Sequence, residues 1–346
     1  MMSLVKRAFI LVCSLLAASA CFRPTPPKRA FYYWKTEWAP ARETLDSLAH
    51  NHIRQLYMRF FDVEWDVVEG KPYPVAPLRF QSPPPRDIEI IPVVYIVNAV
   101  FLKIAYADVE KLADNVWTKV SAIADDSNLT FQQLQLDCDW SDSSRRNYFH
   151  FVQLLSKKLK AQNKIASATI RLHQIKYADR TGIPPVSRGM LMFYNFGRIR
   201  ADNAKSSIFN SEDAGRYTPF IASYPLKLDV VLPLFSWSIH SRDGRVLGLL
   251  EKLSSDDIDA FDGFRRVSPN RYFATRSFFF RGRYFMTGDL LLVEETTPEI
   301  TQEAANLARQ GAGWNKKYDT VALFDLDEKH ATSYTPKQIE RILGQF

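Results

Sequence analysis

Residues 131–160 read FQQLQLDCDWSDSSRRNYFHFVQLLSKKLK, and the hydrophobic period changes within them. Up to Trp140 apolar and polar residues alternate, with Leu136, Cys138 and Trp140 on one face and Asp137 and Asp139 on the other, which specifies a strand over 131–140. From Arg145 to Gln162 the spacing is helical, and lysines fill the last turns, where the helix dipole favours cations. The apolar face of such a strand packs against helices. The face with two carboxylates needs another explanation, because buried charges are costly unless they are paired or open onto a wet cleft.

The same alternation of strand and helix runs along most of the chain. Strands are expected at 31–38, 53–65, 88–101, 131–140, 166–176, 189–196, 227–237 and 318–328, and helices at 40–51, 108–124, 145–162, near 212–225 and at 335–346. The last helix opens with Thr335 as its cap and Pro336 in its first turn. Residues 72–86 form a Pro-rich loop. Eight strands with intervening helices predict a (β/α)8 TIM barrel, although a doubly wound open sheet shares the alternation. Residues 238–317 break the pattern and are expected to form an elaborated loop after the seventh strand, carrying a hairpin, rather than a separate small domain. A single barrel domain over 31–346 follows.

The chain has 346 residues, 46% hydrophobic, 24% charged and 13% aromatic, a globular composition with aromatics enough for a cleft as well as a core. Its formal net charge is +7, yet Lys and Arg are scattered and form no basic stripe, which argues against a nucleic-acid partner. Lys6 and Arg7, an apolar run over 8–18 and the small residues Ala18, Ser19 and Ala20 have the order of an export signal over 1–20, too short to span a bilayer. Cleavage after Ala20 leaves Cys21 first, and Ala18-Ser19-Ala20-Cys21 resembles the lipobox of bacterial lipoproteins. Cys21 is therefore the expected lipid attachment site, holding the protein to a membrane of the cell envelope. Residues 21–30 then act as a Pro-rich, basic tether. With Cys13 in the signal, Cys138 is the one cysteine left for the folded part, so no internal disulfide is expected.

In a barrel of this kind the functional residues sit at the C-terminal ends of the strands. Late in the expected strands stand Trp34 and Glu37, Arg59 and Asp62, Asp137 and Asp139, Arg171 and His173, Tyr194 and Asn195, Trp237, and Asp325 and Asp327. Each alone has an ordinary structural role, since an Asp at a strand end caps the next helix and Trp140 or Tyr194 packs in a core. Brought to one mouth, however, the carboxylates of Asp137, Asp139, Asp325 and Asp327 with Arg59 and Arg171 make a mutually compensated cluster suited to a ligand.

The run LDCDWS resembles the fourth-strand signature of family-18 chitinases, in which Asp-x-Asp-Trp-Glu follows an apolar lead; Asp137, Asp139 and Trp140 match it. Residues 190–195, MLMFYN, resemble the same superfamily's sixth-strand motif through Met192, Tyr194 and Asn195. Over 31–346 the chain also resembles an uncharacterised group of bacterial barrel lipoproteins, through QLDCDWS, TIRLHQ and LMFYN, a group that implies no activity. The chitinase resemblance implies a barrel acting on a carbohydrate ligand, with Asp137, Asp139 and Tyr194 orienting a substrate whose own acetamido group assists cleavage. The glutamic acid that protonates the glycosidic oxygen is replaced by Ser141, which cannot act as that acid, and Asp142 has the opposite parity. Asp325, Asp327 or Glu37 remain as partners in a carboxyl pair, and His173 as a second proton carrier, because histidine ordinarily titrates near neutrality. Trp34, Trp38, Trp140 and Trp237 offer faces for sugar rings, and Glu37, Arg59, Arg171, His173 and Asn195 are expected to bind the substrate.

Two functions follow: a glycoside hydrolase with a relocated acid, or a catalytically silent glycan-binding protein. A metal-dependent hydrolase would use His173 with the aspartates, but no ligand-spaced His motif is present, so no metal or cofactor is expected. Nucleophilic serine chemistry lacks its Gly-x-Ser-x-Gly turn, and Gly311–Trp314 is too short for a phosphate loop.

Overall fold

The computed structural model describes residues 26–194, 199–201, 205–313, 318–327 and 334–346. Eight parallel strands form its central ring: β1 (Lys28–Tyr33), β2 (Ile53–Asp66), β3 (Glu89–Ile96), β4 (Gln133–Asp137), β5 (Ile165–Arg171), β6 (Arg188–Met192), β7 (Lys227–Pro233) and β8 (Thr320–Phe324). β1 pairs with both β2 and β8, which closes the sheet into the (β/α)8 barrel that the alternation predicts. Closure removes the free edges that an open sheet would leave. Each of the eight expected segments contributes one barrel strand.

The parity of β4 now has a cause. Leu134 and Leu136 join the apolar core against the helices, while Gln135 and Asp137 reach side chains inside the barrel. That interior is polar and hydrogen-bonded: Tyr32 Oη donates to Gln135 at 2.5 Å, Gln133 to Ser167 at 2.8 Å, and Thr320 to Gln55 at 2.9 Å. Such pairing is what allows amides and hydroxyls to be buried. At the N-terminal end Arg188 meets Asp229 at 2.9 Å, and the Thr320 amide donates to the same carboxylate. Burial pushes Asp229 up to about 6 against the pull of Arg188. This pair closes the barrel floor, the end that serves stability.

Five longer helices lie outside: α1 (Arg42–His50), α2 (Val109–Asp126), α3 (Arg145–Lys160), α4 (Pro298–Ala312) and α5 (Pro336–Leu343). α3 buries Tyr148, Phe151, Val152, Leu155 and Leu159 along one face, as a 3.6-residue period dictates. α5 opens with the capping box that Thr335 and Gln338 make, behind Pro336. No helix among the described residues is long and apolar enough to cross a membrane.

Several strands stop earlier than their sequence pattern. β5 ends at Arg171, and Leu172–Lys176 turn into a short helix whose Gln174 side chain accepts from the Arg171 amide at 2.8 Å. β8 ends at Phe324, so Asp325 and Asp327 lie in the loop beyond it. Glu37–Trp38 leave the barrel to pair with Arg79–Phe80, and β2 runs on to pair antiparallel with Lys71–Val75 in place of a helix. Alternation of polar and apolar residues persists past a strand's last ladder bond, so the pattern alone overruns the end.

Between β7 and α4 the chain builds an antiparallel sheet in the spatial order 245–251, 236–242, 290–295, 271–274, 264–268, with a hairpin of 278–280 and 283–285 beside it. Leu250, Ile258, Tyr272, Phe278, Phe285 and Leu291 give this insertion its own apolar cluster. Asp289 pins it, accepting from Arg242 at 2.6 and 2.8 Å and from the Met286 amide at 2.8 Å, and meeting His240 Nε2 at 2.8 Å. Burial alone would raise the Asp289 carboxyl, but these donors outweigh it and hold it down at about 2. α4 buries Ala304, Ala305 and Ala308 in the barrel core and is a helix of the ring.

Candidate functional site

A cleft of about 490 Å³ opens at the carboxyl ends of the barrel strands, between the ring and the insertion. The barrel supplies Trp34, Tyr95, Asp137, Asp139, Arg171, His173, Tyr194, Phe324 and Asp325; the insertion supplies Trp237, Glu251 and Lys252. Eight of the residues singled out from the sequence thus line one wall or another: Trp34, Asp137, Asp139, Arg171, His173, Tyr194, Trp237 and Asp325.

Asp137, the last residue of β4, is the most constrained of the acids. Its Oδ1 accepts from Thr169 Oγ1 at 2.6 Å and from Arg171 Nη2 at 2.9 Å. Burial works against the charge of Arg171, but Asp137 and Asp139 outweigh it and keep the guanidinium protonated. The two form a buried ion pair, with side-chain exposures of 5% for Asp137 and 24% for Arg171. Asp139, two residues on, is 57% exposed and has His173 Nε2 at 3.5 Å from its Oδ1. The strand-end acids therefore play unequal parts: Asp137 is held and compensated, while Asp139 faces solvent.

Tyr194 is buried edge-on against Phe235, with centroids 5.4 Å apart, and beside Phe324 at 5.5 Å. Burial pushes its phenol well up, so it acts as a neutral hydroxyl. Trp34 stands over the Arg59 guanidinium at 5.7 Å and touches Tyr95 and Phe324. Arg59 in turn lies 3.0 Å from Asp62, whose carboxyl burial raises to about 6. Arg59 thus supports Trp34 from behind and does not line the cleft. In the insertion Trp237 donates from Nε1 to Glu294 at 3.0 Å, and Glu294 also accepts from the Ser207 amide at 2.9 Å. Lys252 joins insertion to barrel, reaching Asp325 at 3.1 Å and Asp327 at 3.4 Å.

Four further expected residues fall elsewhere. Trp38 is fully buried, edge-on to Tyr33 at 4.8 Å, and offers no face to the cleft. Trp140 is fully buried, stacked on Tyr148 at 5.1 Å with Nε1 donating to the Thr181 carbonyl at 2.9 Å; it belongs to the packing between β4 and α3. Glu37 sits with Arg79 at 3.8 Å on the small outer pairing, away from the cleft lining. Asp327 lies behind Asp325, between Lys252 and Lys35 at 3.4 and 3.5 Å. Asn195 and Cys21 lie outside the described residues. Ser141 starts the turn into α3, its amide donating to Ser144 Oγ at 2.9 Å, and does not line the cleft.

Sequence reading missed Tyr95, Tyr217, Phe235, Glu251, Lys252 and Phe324. Tyr95 had a signal, a lone polar aromatic late in a Val/Ile strand, and it stands in register beside Asp137. Glu251 and Lys252 had none, since nothing in a charged pair at a hairpin end says that the hairpin folds back over the barrel. Among the described residues no three His, Cys, Asp or Glu side chains gather as a metal site requires.

No protein-family model matches the chain, and no curated protein matches its sequence. Solved structures do match its fold. The C-terminal domain of a putative chitinase from Desulfitobacterium hafniense superposes with a TM-score of 0.56 at 10% identity, covering 92% of this chain and 100% of that one. A chitinase from Chromobacterium violaceum gives 0.51 at 13% identity over 90% of this chain and 98% of its own. A plant class V chitinase mutant from Cycas revoluta, in complex with (GlcNAc)3, gives 0.52 at 12% identity over 92% and 99%. At such identities the likeness establishes a chitinase-like (β/α)8 barrel.

Proposed function

We propose that this protein is an exported lipoprotein, attached through Cys21, whose barrel mouth binds a glycan without cleaving it by the chitinase route. The observation that carries the reading is the composition of one cleft: Trp34 from the barrel and Trp237 from the insertion, together with the fixed Asp137–Arg171 pair and the open Asp139. Aromatic faces take the apolar side of sugar rings, and the charged groups take the hydroxyls at their rims. The fold neighbours support the same ligand class, since the Cycas revoluta enzyme holds (GlcNAc)3.

Loss of hydrolysis follows from two features. Ser141 stands where the family's acid stands, and Asp137 is tied to Arg171 and Thr169. A carboxylate oxygen already taken by a hydroxyl and a guanidinium is not free to relay a proton to a substrate. Hydrolysis by another route is the second reading, favoured by Asp139 and Glu251, two exposed carboxylates that line the same cleft.

The experiment is calorimetric titration of the purified protein with chitooligosaccharides, peptidoglycan fragments and host-type glycans, with product analysis of the same mixtures. Binding without new reducing ends is the expected result, with Asp139→Asn weakening it about tenfold at unchanged melting temperature. New reducing ends would establish the hydrolytic reading, and no binding to any glycan would refute both. Palmitate labelling that Cys21→Ala fails to abolish would refute the lipid attachment.

A further inference from the structure

We infer that the ligand is cationic: the cleft is built for an amino sugar whose 2-amino groups are free and protonated, in preference to neutral or acidic glycans. The inference rests on the glycan-binding reading of the same cleft and adds its charge. Four carboxylates line it, from Asp137, Asp139, Glu251 and Asp325, against two permanent cations, Arg171 and Lys252. Both cations are committed, Arg171 to Asp137 at 2.9 Å and Lys252 to Asp325 at 3.1 Å. The two remaining carboxylates are the exposed ones. Among the described residues Asp139 has the His173 ring at 3.5 Å, and Glu251 projects from the edge strand of the insertion, next in register to Trp237.

This surplus runs against the sign of the molecule as a whole, whose formal net charge is +7, or +5 once Lys6 and Arg7 leave with the signal (7 − 2). A basic surface draws anionic polymers in general, so an acidic cleft within it selects at close range against what the surface attracts. An ammonium on a sugar ring stacked on Trp237 lies within reach of Glu251 and gains from the ring face as well. A uronate or sulfate at the same place meets two uncompensated carboxylates and finds no uncommitted cation among the lining residues. Among the described residues His173 is the further titratable group on Asp139 and weakens its charge when protonated, which leaves Glu251 as the main discriminator.

Three oligomers of equal length separate the outcomes: glucosamine, N-acetylglucosamine and galacturonic acid, titrated in slightly acid buffer at low and at high salt. The glucosamine oligomer is expected to bind about tenfold more tightly than the acetylated one, with the advantage shrinking at high salt, and the uronate most weakly. Glu251→Gln is expected to remove most of that advantage. Equal or tighter binding of the acetylated oligomer overturns the inference and leaves glycan binding intact; binding of none of the three removes both. An amine preference that survives Glu251→Gln and Asp139→Asn together would also overturn the inference.

Discussion

Arg171→Met tests whether Asp137 is a compensated anion or a working acid. In the folded protein the Asp137 side chain is 5% exposed, and Arg171 lies 2.9 Å from it. With charge centres about 4 Å apart and an effective dielectric of about 20, the pair interacts by about 4 kcal/mol. Removing one partner of a buried pair leaves the other uncompensated, at a measured cost of about 3–5 kcal/mol. Thr169 stays in place to bond the carboxylate, so the lower end, about 3 kcal/mol, is expected near neutral pH. Adding Asp137→Asn should recover about 2 kcal/mol at neutral pH, because the amide still accepts from Thr169 without a charge to compensate. Urea unfolding followed by circular dichroism near neutral pH measures both. A deficit below about 1 kcal/mol at neutral pH, or one that the second substitution does not relieve, would refute the assignment.

Two further outcomes follow from the insertion. Asp289, held down at about 2 from an ordinary 3.8, contributes about 2 kcal/mol that is present above about pH 4 and lost as pH falls toward about 2; Asp289→Asn should lose it at neutral pH and flatten the acid limb of the unfolding curve, and an unchanged acid limb would count against the pin. Glu294→Leu should remove the acceptor of Trp237 Nε1, shifting tryptophan emission and weakening glycan binding several-fold, while a Trp237→Phe background should show no emission shift from the same change.

How much of this was legible beforehand depends on the range of the interaction. Local period placed every barrel strand, because a strand buried against helices must show its apolar face every second residue whatever surrounds it. It also put Asp137, Arg171 and Tyr194 at the mouth, since parity and lateness in a strand are properties of the strand itself. It erred where one residue serves two structures. Trp140 shares the DxDW run with the acids but has the packing parity, and it is buried against Tyr148. Glu37 and Asp327 follow their strands' alternation after the strands have ended, so their side chains meet Arg79, Lys35 and Lys252 instead of the cleft.

The chain alone determined the alternation of strand and helix, the polar interior faces and the substitution of serine at position 141, because each is written in neighbouring residues. Only the folded structure decided which acids are neutralised and which are not. Arg171 reaches Asp137 across adjacent strands, and Lys252 reaches Asp325 from an insertion that follows a different period and packs around its own apolar cluster. Coulomb pairing at 3 Å is a matter of three-dimensional distance, and distance between residues far apart in sequence is what a linear pattern does not contain.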